Sequence, residues 1–252
     1  MTNKKVSLTR GASDQISNRE NLIRLFNETP IPTDELLINL GLYTRSSYLA
    51  SILFMDEIYR KTLKVPGVIM EFGVWWGANL ALFQSLRGVY EPYNYTRRVI
   101  GFDTFSGYPD RMKSEDKNSK YLFEGNYSVS ENYEKYLEEV LEFHDRENVM
   151  PQKKKYEIIK GDIVDTLPSY LNDNPQTIIS LAYFDMGLYE PTKLALESIK
   201  PYLTKGSILV MDELNFPDMP GETIALKEVF GLDKFRIERS KYTPDRCILE
   251  IV

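Results

Sequence analysis

The chain has a single cysteine, Cys247, and a single histidine, His144, among its 252 residues. That scarcity excludes zinc fingers and other His/Cys clusters, which need three or four soft ligands. A nucleophilic Cys–His pair would have to use those two residues alone. No disulfide can form within the chain, as suits a reducing compartment. Any metal must be held mainly by oxygen, which points to magnesium or calcium. An excess of positive charge is missing too, with 31 Lys and Arg against 37 Asp and Glu and a net charge of -6. Nucleic-acid binders concentrate basic residues against phosphate, so no such partner is expected. The run Lys153-Lys154-Lys155 reads as a solvated turn before a strand. No stretch approaches the ~20 apolar residues that span a bilayer. The polar N-terminus has no apolar signal-peptide core. The expectation is a soluble, cytoplasmic protein with no membrane partner.

What is present is a change of periodicity along the chain. Residues 1 to about 17 are polar and expected to be mobile. Helical patterns follow near Arg19–Asn27 and Thr33–Leu40, with Pro30 and Pro32 between them. A longer helix is predicted over Ser46–Leu63, with Tyr48, Ile52, Met55, Tyr59 and Leu63 along one face. Pro66-Gly67 stops it. Strands and helices then alternate. The strands are Val68–Gly73, Val99–Asp103, Tyr156–Lys160, Thr177–Asp185 and Ser207–Asp212, and a terminal hairpin pairs Phe235–Arg239 with Cys247–Val252. Helices are predicted over Ala78–Leu86, after a capping-box spacing at Ser128 and Glu131, over Asp162–Leu171 and over Leu188–Ile199. Residues 104–128 read as a polar, aromatic loop or lid. This alternation implies right-handed βαβ units in a mostly parallel sheet. The fold class is α/β, a Rossmann-like seven-stranded sheet with helices on both faces, an antiparallel last strand and an N-terminal helical extension over residues 1–65.

In an open α/β sheet, ligands bind beyond the carboxyl ends of the strands, where strand order reverses. Every predicted strand end carries an acid: Glu71, Asp103, Asp162, Asp185, and the pair Asp212-Glu213. The turn after the first strand, Gly73-Val74-Trp75-Trp76-Gly77, has G-x-x-x-G spacing rather than the G-x-G-x-x-G of a dinucleotide site. That lowers the odds of a nicotinamide cofactor and leaves room for a smaller one against the backbone. Asp103 suits two ribose hydroxyls, since a carboxylate accepts two hydrogen bonds side by side; capping of a turn is the equal alternative. Asp162 reads both as the cap of its own helix and as a neighbour of an adenine edge. If the fourth and fifth strands are neighbours, Asp185, Asp212 and Glu213 meet in one cleft. Three converging carboxylates repel unless one is protonated or a divalent cation joins them. Independent solvated loop acids are the plainer alternative.

Five motifs in register carry a resemblance: E-F-G-V-W-W-G, G-F-D-T-F-S-G-Y-P, G-D-I-V-D-T-L-P, D-M-G-L-Y-E-P-T, and M-D-E-L-N followed by P-G-E-T. From about Tyr43 to Gly231 the chain resembles the macrocin O-methyltransferase family of sugar methyltransferases dependent on S-adenosylmethionine (SAM). The resemblance implies a methyltransferase domain over residues 66–252 and a saccharide or other small-molecule acceptor, with a homo-oligomer compatible. It implies that Glu71, Gly73, Val74, Trp75 and Gly77 cradle the methionine part of SAM. Asp103 and Thr104 would hold the ribose, and Gly161 and Asp162 would lie near adenine. Asp185, also near the cofactor, would bind Mg2+ with Asp212 and Glu213. The segment Tyr43–Ser47, with Thr44, resembles a stretch that closes over the cofactor.

Three positions depart from the family pattern. Gly187 stands where D-x-D-x-Y has its second Asp, Glu213 stands in a double-Asp position, and residues 104–128 hold no His. The single His144 reads as structural, near a helix C-terminus. The catalytic base is then expected to be Asp185, or a tyrosine such as Tyr108 or Tyr121. Of Trp75 and Trp76, one is expected in packing and the other beside the cofactor. The alternatives are a metal-independent methyltransferase acting on a phosphorylated acceptor and a non-catalytic SAM-binding protein.

Overall fold

The computed structural model describes residues 11–116 and 119–252. The expected polar leader over residues 1 to 17 therefore lies mostly outside the described residues. Helix α1 (Ser13–Asn27) begins six residues before the predicted pattern. It is followed by α2 (Thr33–Leu36) and a 3-10 helix over Leu37–Tyr43, and none of the three contains a buried residue. Helix α3 (Ser46–Thr62) buries Phe54, Met55, Ile58, Tyr59 and Thr62. Two residues of the predicted face, Tyr48 and Leu63, stay exposed. The buried stripe is instead set by the strands beneath it, because α3 packs on β4 and β5.

Seven strands form one sheet in the order β3-β2-β1-β4-β5-β7-β6. They are β1 (Val68–Phe72), β2 (Val99–Asp103), β3 (Tyr156–Lys160), β4 (Ile179–Phe184), β5 (Leu203–Met211), β6 (Ile237–Arg239) and β7 (Cys247–Glu250). The first five are parallel, and β7 runs antiparallel to both β5 and β6. Strand β4 is buried along its whole length, as expected of a central strand covered on both faces. Helices α3, α4 (Ala78–Tyr90) and α5 (Tyr133–Glu147) cover one face, where Phe83, Leu80, Leu137 and Leu141 join the core. Helices α6 (Ile163–Asp173), α7 (Tyr189–Ile199) and α8 (Gly221–Val229) cover the other with Leu167, Leu196 and Leu226. Strand order reverses between β1 and β4, so the crevice lies above their carboxyl ends.

Two local expectations are corrected. The Ser128/Glu131 spacing does not cap a helix, since α5 starts at Tyr133 after Asn132, whose φ is 58° and which forms no side-chain cap. Tyr133 N donates to Ser130 O, so a turn occupies the predicted first turn of helix. Helix α8 was not foreseen. It is short, follows Pro217 and Pro220, and opens on a glycine, all of which read as loop.

Candidate active site

Beyond the ends of β1 and β4 lies a cavity of about 410 Å³, within the usual range for small-molecule sites. Its lining includes Gly73, Trp75, Asp103, Thr104, Gly161, Asp162, Asp185, Asp212 and Glu213. Those nine sequence-predicted residues are therefore brought together. Glu71, Val74, Gly77 and Thr44 do not line it. Val74 is buried in the core. Thr44 hydrogen-bonds Leu40 O within the N-terminal segment. Glu71 is fully buried behind the turn and accepts from Asn79 Nδ2 at 3.0 Å.

The turn after β1 is shaped by its neighbours. Gly73 has φ of 91°, and a Cβ there would sit 2.0 Å from Asp185 O, so no other residue fits. Asp103 ties this turn down. Its Oδ2 accepts from Val74 N at 2.7 Å and Trp75 N at 2.8 Å, and its Oδ1 accepts from Phe105 N at 2.6 Å. The turn-capping role is thus present. A carboxylate has about four acceptor positions, so capacity remains towards the cavity. Burial raises the Asp103 pKa against the lowering effect of those amides. Asp162 also caps: its Oδ1 accepts from Val164 N at 3.0 Å. Its Oδ2 pairs with Arg111 Nε at 2.5 Å, which fastens the 104–128 loop to the end of β3.

The loop is organised around aromatic side chains. Trp75 meets Tyr127 edge-on at 5.8 Å, and Tyr127 meets Tyr108 at 5.6 Å, so three rings wall one side of the cavity. Trp76 packs edge-on against Tyr133 instead. Tyr121 is buried with Leu122, Leu188 and Met219 and does not reach the cavity. Tyr108 does. Burial, then Glu213 and Asp185, push its phenol well above the ordinary value, which makes it a hydrogen-bond donor rather than a base. His144 lies in the last turn of α5, where burial lowers its pKa. It does not line the cavity.

The acids at the ends of β4 and β5 converge. Asp185, Asp212 and Glu213 place carboxylate oxygens within 4.8 Å of one another. Burial, then Asp212, raises the Asp185 carboxyl well above the usual range; burial, then Glu222, does the same for Glu213. The Glu213 Oε2 atom is buried with no hydrogen-bond partner. Asp212 is treated differently: its Oδ1 accepts from Tyr183 Oη and from Arg246 Nε. Arg246 reaches in from the β6–β7 hairpin, contacts Ser51 Oγ at 3.3 Å and lies over the Phe54 ring. Sequence reasoning missed Arg246 and Glu222. Both come from elements far along the chain, and no strand-end rule points to either. For Glu222 the signal was the P-G-E-T motif, which carried no assigned chemistry.

Among known proteins, the macrocin-O-methyltransferase (TylF) family profile matches residues 54–228. The 8-demethyl-8-(2,3-dimethoxy-alpha-L-rhamnosyl)-tetracenomycin-C 4'-O-methyltransferase of Streptomyces olivaceus is 29% identical over 153 residues. That match spans 59% of this chain and only 53%, about half, of the relative. The crystal structure of CalS11, a calicheamicin methyltransferase, superposes with a TM-score of 0.93 at 43% identity, over 99% of this chain and 98% of that one. An apo structure of CalS11, described as a TDP-rhamnose 3'-O-methyltransferase, gives a TM-score of 0.85 at 42% identity over 96% of each chain. Among the described residues no helix is long and apolar enough to cross a membrane.

Proposed function

The chain belongs to the macrocin O-methyltransferase family, and from that premise we propose that it transfers the methyl group of SAM to a sugar hydroxyl. The acceptor class is a nucleotide sugar, glycoside or polysaccharide precursor, and TDP-rhamnose, named for CalS11, is the first candidate. One observation carries the proposal. The Gly73 turn, Asp103 and the Asp185/Asp212/Glu213 cluster face one cavity at the reversal of strand order.

The residues also fit a divalent cation such as Mg2+. All donors are hard carboxylate oxygens, and Glu213 Oε2 is buried without a partner. Asp185, Asp212 and Glu213 would hold the ion. When bound, such an ion lowers the pKa of an acceptor hydroxyl, and SAM supplies an electrophilic methyl on its sulfonium. The rest falls to the chain. Gly73 and Trp75 would border the methionine part, Asp103 and Thr104 the ribose, and Gly161 and Asp162 the adenine. Asp185, on the cavity wall, would take the acceptor proton. Tyr108 would donate a hydrogen bond to the acceptor. Trp75, Tyr127 and Tyr108 would stack on the sugar and exclude water. Alignment of donor and acceptor oxygen is itself a large share of such catalysis.

A second reading is metal-independent carboxylate chemistry. It is favoured by Arg246, which already sets a positive charge against Asp212. Residues 11–45, the part of the N-terminal extension that buries no side chain, are proposed to close over the site when it is filled, while α3 stays fixed in the core. A second copy of the chain is proposed to cover the apolar surface of that segment, where Leu37 and Ile38 are 74% and 85% exposed. The reaction is placed in the cytoplasm, and the net charge of -6 favours a small acceptor over nucleic acid.

Thermal-shift titration with SAM, S-adenosylhomocysteine (SAH) and NAD tests the cofactor. Stabilisation by the two adenosyl ligands alone is expected; stabilisation by neither contradicts the proposal. Repeating the titration with Mg2+ and with EDTA separates the two readings.

A further inference from the structure

We propose that Glu222 is a positioning residue of this site, tying the turn after β4 to the turn after β5 and so setting how Asp185 and Glu213 face one another. The inference rests on the metal reading above.

Glu222 lies in the first turn of α8 and is fully buried. Its Oε1 accepts from Met186 N at 3.0 Å and Gly187 N at 3.2 Å, the two amides that follow Asp185. Its Oε2 accepts from Glu213 N at 3.3 Å. One carboxylate therefore serves both turns that carry the acids. The start of α8 is pressed against the same place. A Cβ on Gly221 would stand 2.7 Å from Gly187 O and 2.5 Å from Tyr189 N, so the helix enters at contact distance.

The choice of side chain is informative. Burying a fourth carboxylate beside three others is costly, and a neutral group would avoid that cost. A glutamine could not replace it, because its amide offers one acceptor oxygen while its NH2 would face a donor. The three backbone amides call for acceptors on both atoms, which a carboxylate of this length supplies. Groups that orient metal ligands from behind set affinity almost as strongly as the ligands do.

The test titrates Mn2+ into the SAH-loaded full-length protein, followed by electron paramagnetic resonance, with SAH affinity measured separately by calorimetry. Glu222→Gln is expected to weaken Mn2+ binding by about 10- to 100-fold while SAH affinity is unchanged. Glu222→Asp keeps the charge and both oxygens but is too short to serve both turns, so it is expected to weaken Mn2+ as well. If Glu222→Gln does not fold, Glu222→Asp decides alone. Wild-type Mn2+ affinity in the folded variants overturns the inference, and so does parallel loss of Mn2+ and SAH, which would mark a general structural role. Absence of Mn2+ binding by the wild-type protein would instead sink the metal reading on which the inference stands.

Discussion

Arg246 Nε lies 2.5 Å from Asp212 Oδ1, which sets a cation against one of the acids that converge at the ends of β4 and β5. Both side chains are largely buried, at 17% and 15% exposure. Removing one partner of such a pair leaves the other uncompensated, at a cost of about 3 kcal/mol. Arg246→Leu is therefore expected to lower the melting temperature in EDTA by several degrees, with Mg2+ restoring part of the loss. Equal losses with and without Mg2+ would argue against a shared electrostatic role.

Asp103 gives a test of the cofactor turn. Asp103→Asn would place an NH2 against one of the amides that its two oxygens now serve. SAM affinity is expected to fall by about tenfold, the cost of roughly one lost charge-assisted hydrogen bond. Calorimetry with SAM and circular dichroism of the variant check this together. Unchanged affinity would mean that the turn needs no anchor.

Stability should depend on pH through Glu71. Burial is the main cause that pushes its carboxyl up to about 8, against the lowering effect of Asn79. The folded protein then keeps a proton that the unfolded chain releases, from the ordinary carboxylate range up to about pH 8. Stability accordingly falls as pH rises through that window, by at most about 1.4 kcal/mol per pH unit for this group. Thermal melts in EDTA across the window should show the decline, to which the raised Asp185 and Glu213 carboxyls also contribute, and Glu71→Gln should make it shallower by the Glu71 share. A slope unaffected by the substitution would contradict the assignment.

Gly187→Asp would restore the sequence pattern of the family yet is expected to impair the protein. Gly187 has φ of 66°, and a Cβ there would lie 3.0 Å from Tyr108 Oη and 3.3 Å from a Leu122 methyl carbon. Strain in that backbone region costs about 1–3 kcal/mol. Chemical denaturation should show a loss of that order, with no gain in methyl transfer. A more active Gly187→Asp enzyme would show that the Tyr108 side of the cavity yields readily.

Much of this was legible in the sequence because short apolar runs ending in acids name parallel strands and their functional ends together. Strand β3 and the residues Asp103, Asp185, Asp212 and Glu213 were all found this way. Glu222 was not, since a glutamate in the first turn of a helix reads as a complement to the helix dipole. Its three amide partners lie 9 to 36 residues away in sequence. Arg246 was hidden for the same reason: its partner Asp212 sits across a strand and a hairpin. Glu71 lies off the cavity lining because a strand-end acid can point into the core as well as into the crevice, and β1 is buried on both faces.

The central claim is methyl transfer from SAM to a sugar hydroxyl, and mass spectrometry of the protein with SAM, Mg2+ and TDP-rhamnose or a panel of related glycosides tests it most directly. The account predicts SAH together with an acceptor heavier by one CH2, and loss of both products in Asp185→Ala. Tight binding of SAM with no SAH formed on any sugar, or an undiminished Asp185→Ala, would contradict it.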